Sequence, residues 1–170
     1  MKVELLRYPT EADLAWVKTC TLNTVGKVST DAPTEAWLKR LVEAEHSPIR
    51  ELWFGFKLTI PYWVSVHFVR HHVGVHPYIM TQRSDRTGVP RDDKPQGELV
   101  SHIMSINAQA LINMAHKRLC MQASKETKEV MQLMVKEVIK VAPYMKDVLV
   151  PLCVYRNGKC TEMFPCKETK

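Results

Sequence analysis

The run WFGFKLTIPYWVSVHFV, residues 53–69, changes its hydrophobic period at a proline, and any fold for this chain must accommodate both halves. Phe54, Phe56, Leu58 and Ile60 alternate with Gly55, Lys57 and Thr59. Period two is the pattern of a strand with one buried face. Beyond Pro61, Trp63, Val66 and Val69 recur at about three residues. Proline suits the first turn of a helix, so the spacing predicts a helix from Tyr62 towards His72. A strand feeding directly into a helix implies mixed α and β structure around one sheet.

The rest of the chain extends that reading. Val3 to Arg7 reads as an opening strand, and Thr10 followed by Asp13 resembles a capping box ahead of a short helix. PTEAWLKRLVEAE spaces Trp37, Leu38, Leu41 and Val42 as a second helix, with Pro33 suited to its first turn. Periodicity vanishes between Gly74 and Gly97, which predicts a long loop of the functional or mobile kind. SHIMSINAQALINMAHKR reads as one long helix. ETKEVMQLMVKEVIKV reads as another, with Val130, Met134, Val138 and Val141 on one face. The expectation is a single α+β domain over residues 1–170, its long helices packed on a small, mostly antiparallel sheet.

Bulk properties narrow the function. At 170 residues, 45% hydrophobic, the chain can bury a substantial core. No stretch approaches the roughly 20 apolar residues that span a bilayer. Glu4, Arg7, Glu11 and Asp13 occupy the region where a signal peptide needs an apolar core, so a cytoplasmic protein is expected, with no membrane partner. The net charge of +6 suits an anionic partner. Lys and Arg are scattered and aromatics are only 8%, so nucleic acid is the less favoured partner beside a small phosphorylated ligand.

The chemistry-bearing residues concentrate in FVRHHVGVHPYIMTQRSDR, residues 68–86. On a helix, His67 and His71 would share a face at the spacing of a metal-binding pair. Arg70 among them opposes a divalent ion, and no acidic residue lies between His67 and Arg83. Arg70, Arg83 and Arg86 instead offer planar forks for phosphate, with Thr81 and Ser84 as neutral donors; an exposed basic loop is the plain alternative. Four cysteines, Cys120, Cys153, Cys160 and Cys166, could supply a tetrahedral structural zinc site, with free thiols or disulfides as the other readings. Asn107, Gln109, Asn113, His116, Arg118 and Glu126 line a polar side of the late helices, fitting either a heteroaromatic ligand or a solvated face.

Two segments together carry a family resemblance. HSPIRELWFGFKLTIPYWVSVHFVRHH, followed by a Ser/Thr-x-Arg element, and NAQALINMAHKRLCMQASKET resemble the flavin-dependent thymidylate synthases in order and spacing. The resemblance covers a little under half of the chain. It implies an α+β protomer and a homotetramer with active sites formed between chains. It further implies FAD as cofactor, the pyrimidine nucleotide dUMP as substrate, and NADPH and methylenetetrahydrofolate as co-substrates in dTMP biosynthesis. Arg70 and His71 match the first two signature positions, and His72 stands where a second Arg is expected. Ser47 takes a flavin-contacting turn position, and Asn107 a flavin contact at the start of the late helix. Arg118 falls where the family has an arginine that grips the nucleotide, making it the candidate catalytic and substrate-binding residue. Thr81 and Arg83 match the Ser-x-Arg element after a one-residue insertion. Arg50, His67 and Gln109 depart from the usual Glu, Gln and Arg. The segment from Thr87 to Leu99 replaces a longer helical insertion. A non-catalytic relative that binds a nucleotide or a partner is the second reading these departures leave open.

Overall fold

The computed structural model describes residues 1–29 and 31–166. Strand β1 (Lys2–Arg7) is followed by helices α1 (Glu11–Asn23) and α2 (Glu35–Glu43), then a 3-10 turn over Ser47–Glu51. Strand β2 (Trp53–Pro61) passes directly into α3 (Tyr62–Val69). Strand β3 (Val75–Ile79), the single-turn α4 (Ser84–Thr87) and strand β4 (Leu99–Asn107) come next. The chain closes with α5 (Ala108–Arg118), α6 (Lys125–Val141) and the short α7 (Leu152–Tyr155). The sheet runs β1-β2-β4-β3, and every pairing is antiparallel. This is the α+β class expected.

Local chemistry accounts for the first elements. The Thr10 hydroxyl accepts the Asp13 backbone N–H at 3.3 Å, and the Asp13 carboxylate accepts the Thr10 N–H at 2.8 Å, the reciprocal capping box. That backbone hydrogen bond, with the hydroxyl contact, holds Asp13 below its ordinary pKa. Thr34 caps α2 by accepting the Trp37 N–H, which puts Pro33 just ahead of the cap rather than inside the first turn.

β2 carries the core. Phe54, Phe56, Leu58 and Ile60 are fully buried, as are Val100, Met104 and Ile106 opposite them on β4. Each such burial stabilises by about 1.5–3 kcal/mol. Buried residues of α3, α5 and α6 join the same cluster, among them Phe68, Leu111 and Met134. The other sheet face holds Lys57, Thr59, Ile103 and Tyr78, with Ile103 and Tyr78 40% and 65% exposed.

Three expectations need correction. The loop from Gly74 contains β3, whose Pro77 hid it; as an edge strand pairing only with β4, it tolerates a residue with no N–H. The long helix over 101–118 is half strand: β4 ends at Asn107 and only then does α5 begin. Helix α3 stops at Val69, so His67 and His71 do not share one helical face.

Candidate functional site

The site grows from the junction between the turn after α3 and the start of α5. Asn107 ends β4 and caps α5, its side-chain oxygen accepting the Ala110 N–H at 2.9 Å. Its backbone N–H donates to the Gly74 carbonyl at 3.0 Å. Gly74 has φ of +70°, and a Cβ there would meet the Asn107 amide nitrogen at 2.6 Å. Glycine alone fits both demands. The turn bearing Arg70, His71 and His72 is thereby clamped to the head of α5.

From the far end of α5, Arg118 reaches back to the same turn. Its Nε donates to His71 Nε2 at 2.9 Å and its Nη2 donates to the His67 carbonyl at 2.7 Å. A guanidinium only donates, so His71 Nε2 is the acceptor and the ring carries its proton on Nδ1. Burial first, then the charges of Arg118 and Arg70, lower the His71 pKa to about 4. Burial and the same two arginines also lower His67. His71 is therefore neutral at pH 7.

Charge at this junction is one-sided. Burial and the neighbouring Arg70 lower even the Arg118 pKa. Among the described residues, neither Arg70 nor Arg118 forms an ion pair with a carboxylate. Arg118 is half-buried while Arg70 is exposed; the repulsion between them is screened less than between two free cations in water, and a bound anion would offset it. His71 lines two cavities. One, of about 210 Å³, is bounded by Arg70, His72, Val73, Ala110 and Asn113. The other, of about 450 Å³, is bounded by Glu45, His116, Lys117, Tyr155 and Arg156.

Arg70, His71, His72, Asn107 and Arg118 thus converge. Thr81 and Arg83 do not join them: they line a separate cavity with Tyr62, Ile79 and Arg91. There the Arg83 guanidinium pairs bidentately with Asp85 at 3.0 and 2.8 Å, and the Arg83 N–H donates to the Thr81 hydroxyl. Ser47 is exposed at the start of the 3-10 turn. Cys120, Cys153, Cys160 and Cys166 do line one cavity. Yet among the described residues no three His, Cys, Asp or Glu side chains are grouped to hold a metal ion. Of the readings offered for these four cysteines, the structure shows a shared cavity wall and, among the described residues, no grouping around one ion.

One cluster escaped the sequence reading. Glu45, at φ of +45°, accepts hydrogen bonds from the Gln109 amide and from the Tyr155 hydroxyl at 2.8 Å. The His116 ring stacks on Tyr155 with centroids 4.6 Å apart, and its Nε2 is buried with no partner among the described residues. A left-handed glutamate and a contact spanning 110 positions leave no local signal. Of its members, the sequence singled out Gln109 and His116, without their partners Glu45 and Tyr155.

Residues 95–144 match the family described as thymidylate synthase complementing protein. That segment contains β4, Asn107, α5 with Arg118, and α6. No curated protein matches the chain. Among solved structures, the fold is similar to that of the UMP/dUMP methylase PolB from Streptomyces cacaoi bound with 5-Br dUMP, with a TM-score of 0.68 and 16% identity. That likeness covers 86% of this chain and 93% of the other. The later segment of the resemblance read from the sequence, with Asn107 and Arg118, falls within the match to the thymidylate synthase complementing protein family over residues 95–144, and the overall fold is similar to that of the UMP/dUMP methylase structure.

Proposed function

We propose that the chain methylates a pyrimidine nucleotide, converting dUMP or a close relative to its 5-methyl form, as flavin-dependent thymidylate synthases do. The observation that carries this reading is Arg118, half-buried, without a carboxylate partner among the described residues, braced by a neutral His71 and lying beside the exposed Arg70. That arrangement calls for a phosphorylated ligand. Arg118 Nη2 and Nε fix the guanidinium plane against the turn, leaving its remaining N–H groups to orient the nucleotide.

The residues present fit a flavin. Among the described residues the cavity beside Arg70 has no acidic lining, and His71, His72 and Asn113 add polar groups suited to phosphate and ring carbonyls. Arg70, His71 and His72 would hold it, with Asn107 setting the turn and Ser47 approaching from the 3-10 turn. When bound, FAD would carry the hydride supplied by NADPH, and methylenetetrahydrofolate would supply the carbon. Thr81 and Arg83 enter the proposal as a second set of nucleotide donors brought by another copy of the chain. The part-apolar open sheet face, with Ile103 and Tyr78 exposed, suits such a homo-oligomer.

A non-catalytic relative is the second reading, favoured by one observation: Gln109 is occupied by Glu45 rather than free to meet a ligand. The test is the visible spectrum of the protein after incubation with FAD and gel filtration, followed by a dUMP methylation assay. Retained flavin with dTMP formed supports the proposal. Nucleotide binding with neither flavin nor turnover supports the second reading.

A further inference from the structure

A cavity of about 480 Å³ lies between the end of α5, one face of α6, α7 and residues 160–166. It shares only Leu152 with the cavity beside Tyr155. Its volume is within the range of small-molecule sites, about 300–1,000 Å³. Helix α6 presents Lys128, Gln132 and Val135 to it, spaced four and three residues apart along one stripe. Leucine, valine and proline side chains with four cysteines form most of the remaining wall. Two ties hold the outer segment in place: Lys117 pairs with Glu162 at 2.7 Å, and the Gln122 amide donates to the Phe164 carbonyl at 2.8 Å.

Charge in this cavity is unbalanced at one point. The Lys128 ammonium donates to the Met121 thioether at 2.8 Å, and a thioether is a weak acceptor. Among the described residues no carboxylate pairs with Lys128, and Glu162, the one carboxylate in the lining, is taken by Lys117. An apolar interior with a single unmatched ammonium describes a ligand with a hydrocarbon body and one negative charge. A phosphate would call for more charged donors than this one ammonium, with the Gln132 amide and the Thr161 hydroxyl as neutral donors beside it.

We propose that this cavity binds an amphipathic carboxylate, its hydrocarbon body against the thiol-lined wall and its carboxylate on Lys128. The site is separate from the Arg118 junction and does not depend on the nucleotide reading. Decanoate and 1-decanol, titrated calorimetrically into the full chain, test it directly. Decanoate should bind, and Lys128→Met should weaken it at least tenfold while leaving 1-decanol unchanged. Saturating decanoate should also slow maleimide labelling of Cys153 and Cys160 but not of Cys20, which lies on α1. Val135→Trp, checked for folding by circular dichroism, should abolish both ligands by filling the space. Decanoate that fails to bind, binds Lys128→Met as tightly as the parent chain, or slows Cys20 as much as Cys153 would overturn the proposal.

Discussion

The turn after α3 and the loop after β3 both carry arginines, but they treat the charge in opposite ways. Arg83 sits 67% exposed and closes its own salt bridge with Asp85 two residues away. Arg118 is drawn in from the end of α5, half-buried, and given a neutral histidine and a carbonyl instead of a carboxylate. One arginine is neutralised locally and costs the fold little. The other is held by packing, half-buried and without a carboxylate partner among the described residues. Arginine marks both regions; a half-buried arginine without a carboxylate partner among the described residues marks only the one around His71.

Acid should give the largest effect on stability. Burial holds His102 near pKa 4, well below its ordinary 6.5, and His71 is lowered to about 4 as well. As pH falls below 6.5 the unfolded chain takes up protons that these folded imidazoles refuse, so stability is present above pH 6.5 and lost towards pH 4. The slope for His102, fully enclosed beside Ser65, is about 1.4 kcal/mol per pH unit. His71 adds a smaller share because solvent reaches it. Urea melts across that window should steepen accordingly, and His102→Asn should flatten most of the loss.

Gly74→Ala attacks the clamp itself. A left-handed alanine and a displaced Asn107 cap together cost roughly 2–4 kcal/mol, read as a lowered urea midpoint. Arg118→Ala should weaken dUMP binding by about 1–3 kcal/mol, as expected for a charged hydrogen bond. Arg83→Ala makes the smallest change. It should cost less than about 1 kcal/mol in stability, since the pair it breaks is exposed, and it should weaken dUMP less than Arg118→Ala does. An Arg83→Ala effect as large as that of Arg118→Ala would place the nucleotide at the β3 loop instead.

The contrast also explains what could be read from the chain. The Phe54 to Ile60 alternation, the Thr10 capping box and the α6 stripe are local codes and appear as expected. β3 was invisible because Pro77 argues against a strand unless its edge position is known, and edge position is a property of the whole sheet. β4 does alternate Val100, His102, Met104 and Ile106, but it runs without a break into α5, whose polar pattern overrode it. Arg70, His71, Asn107 and Arg118 were singled out through the family resemblance, and the structure brings them to one junction. Their mutual bracing was not, since the hydrogen bond from Arg118 to His71 spans 47 positions. Cys120, Cys153, Cys160 and Cys166 show the converse: sequence spacing brought them to one cavity wall but not to one ion.

The most direct test of the account is a calorimetric titration of dUMP and of deoxyuridine into the parent chain and Arg118→Ala. The account predicts that dUMP binds the parent chain far more tightly than deoxyuridine does, and that Arg118→Ala removes roughly 1–3 kcal/mol of the dUMP affinity. Equal binding of dUMP and deoxyuridine, or an unchanged dUMP affinity in Arg118→Ala, would contradict the claim that the Arg70–Arg118 junction is built for a nucleotide's phosphate.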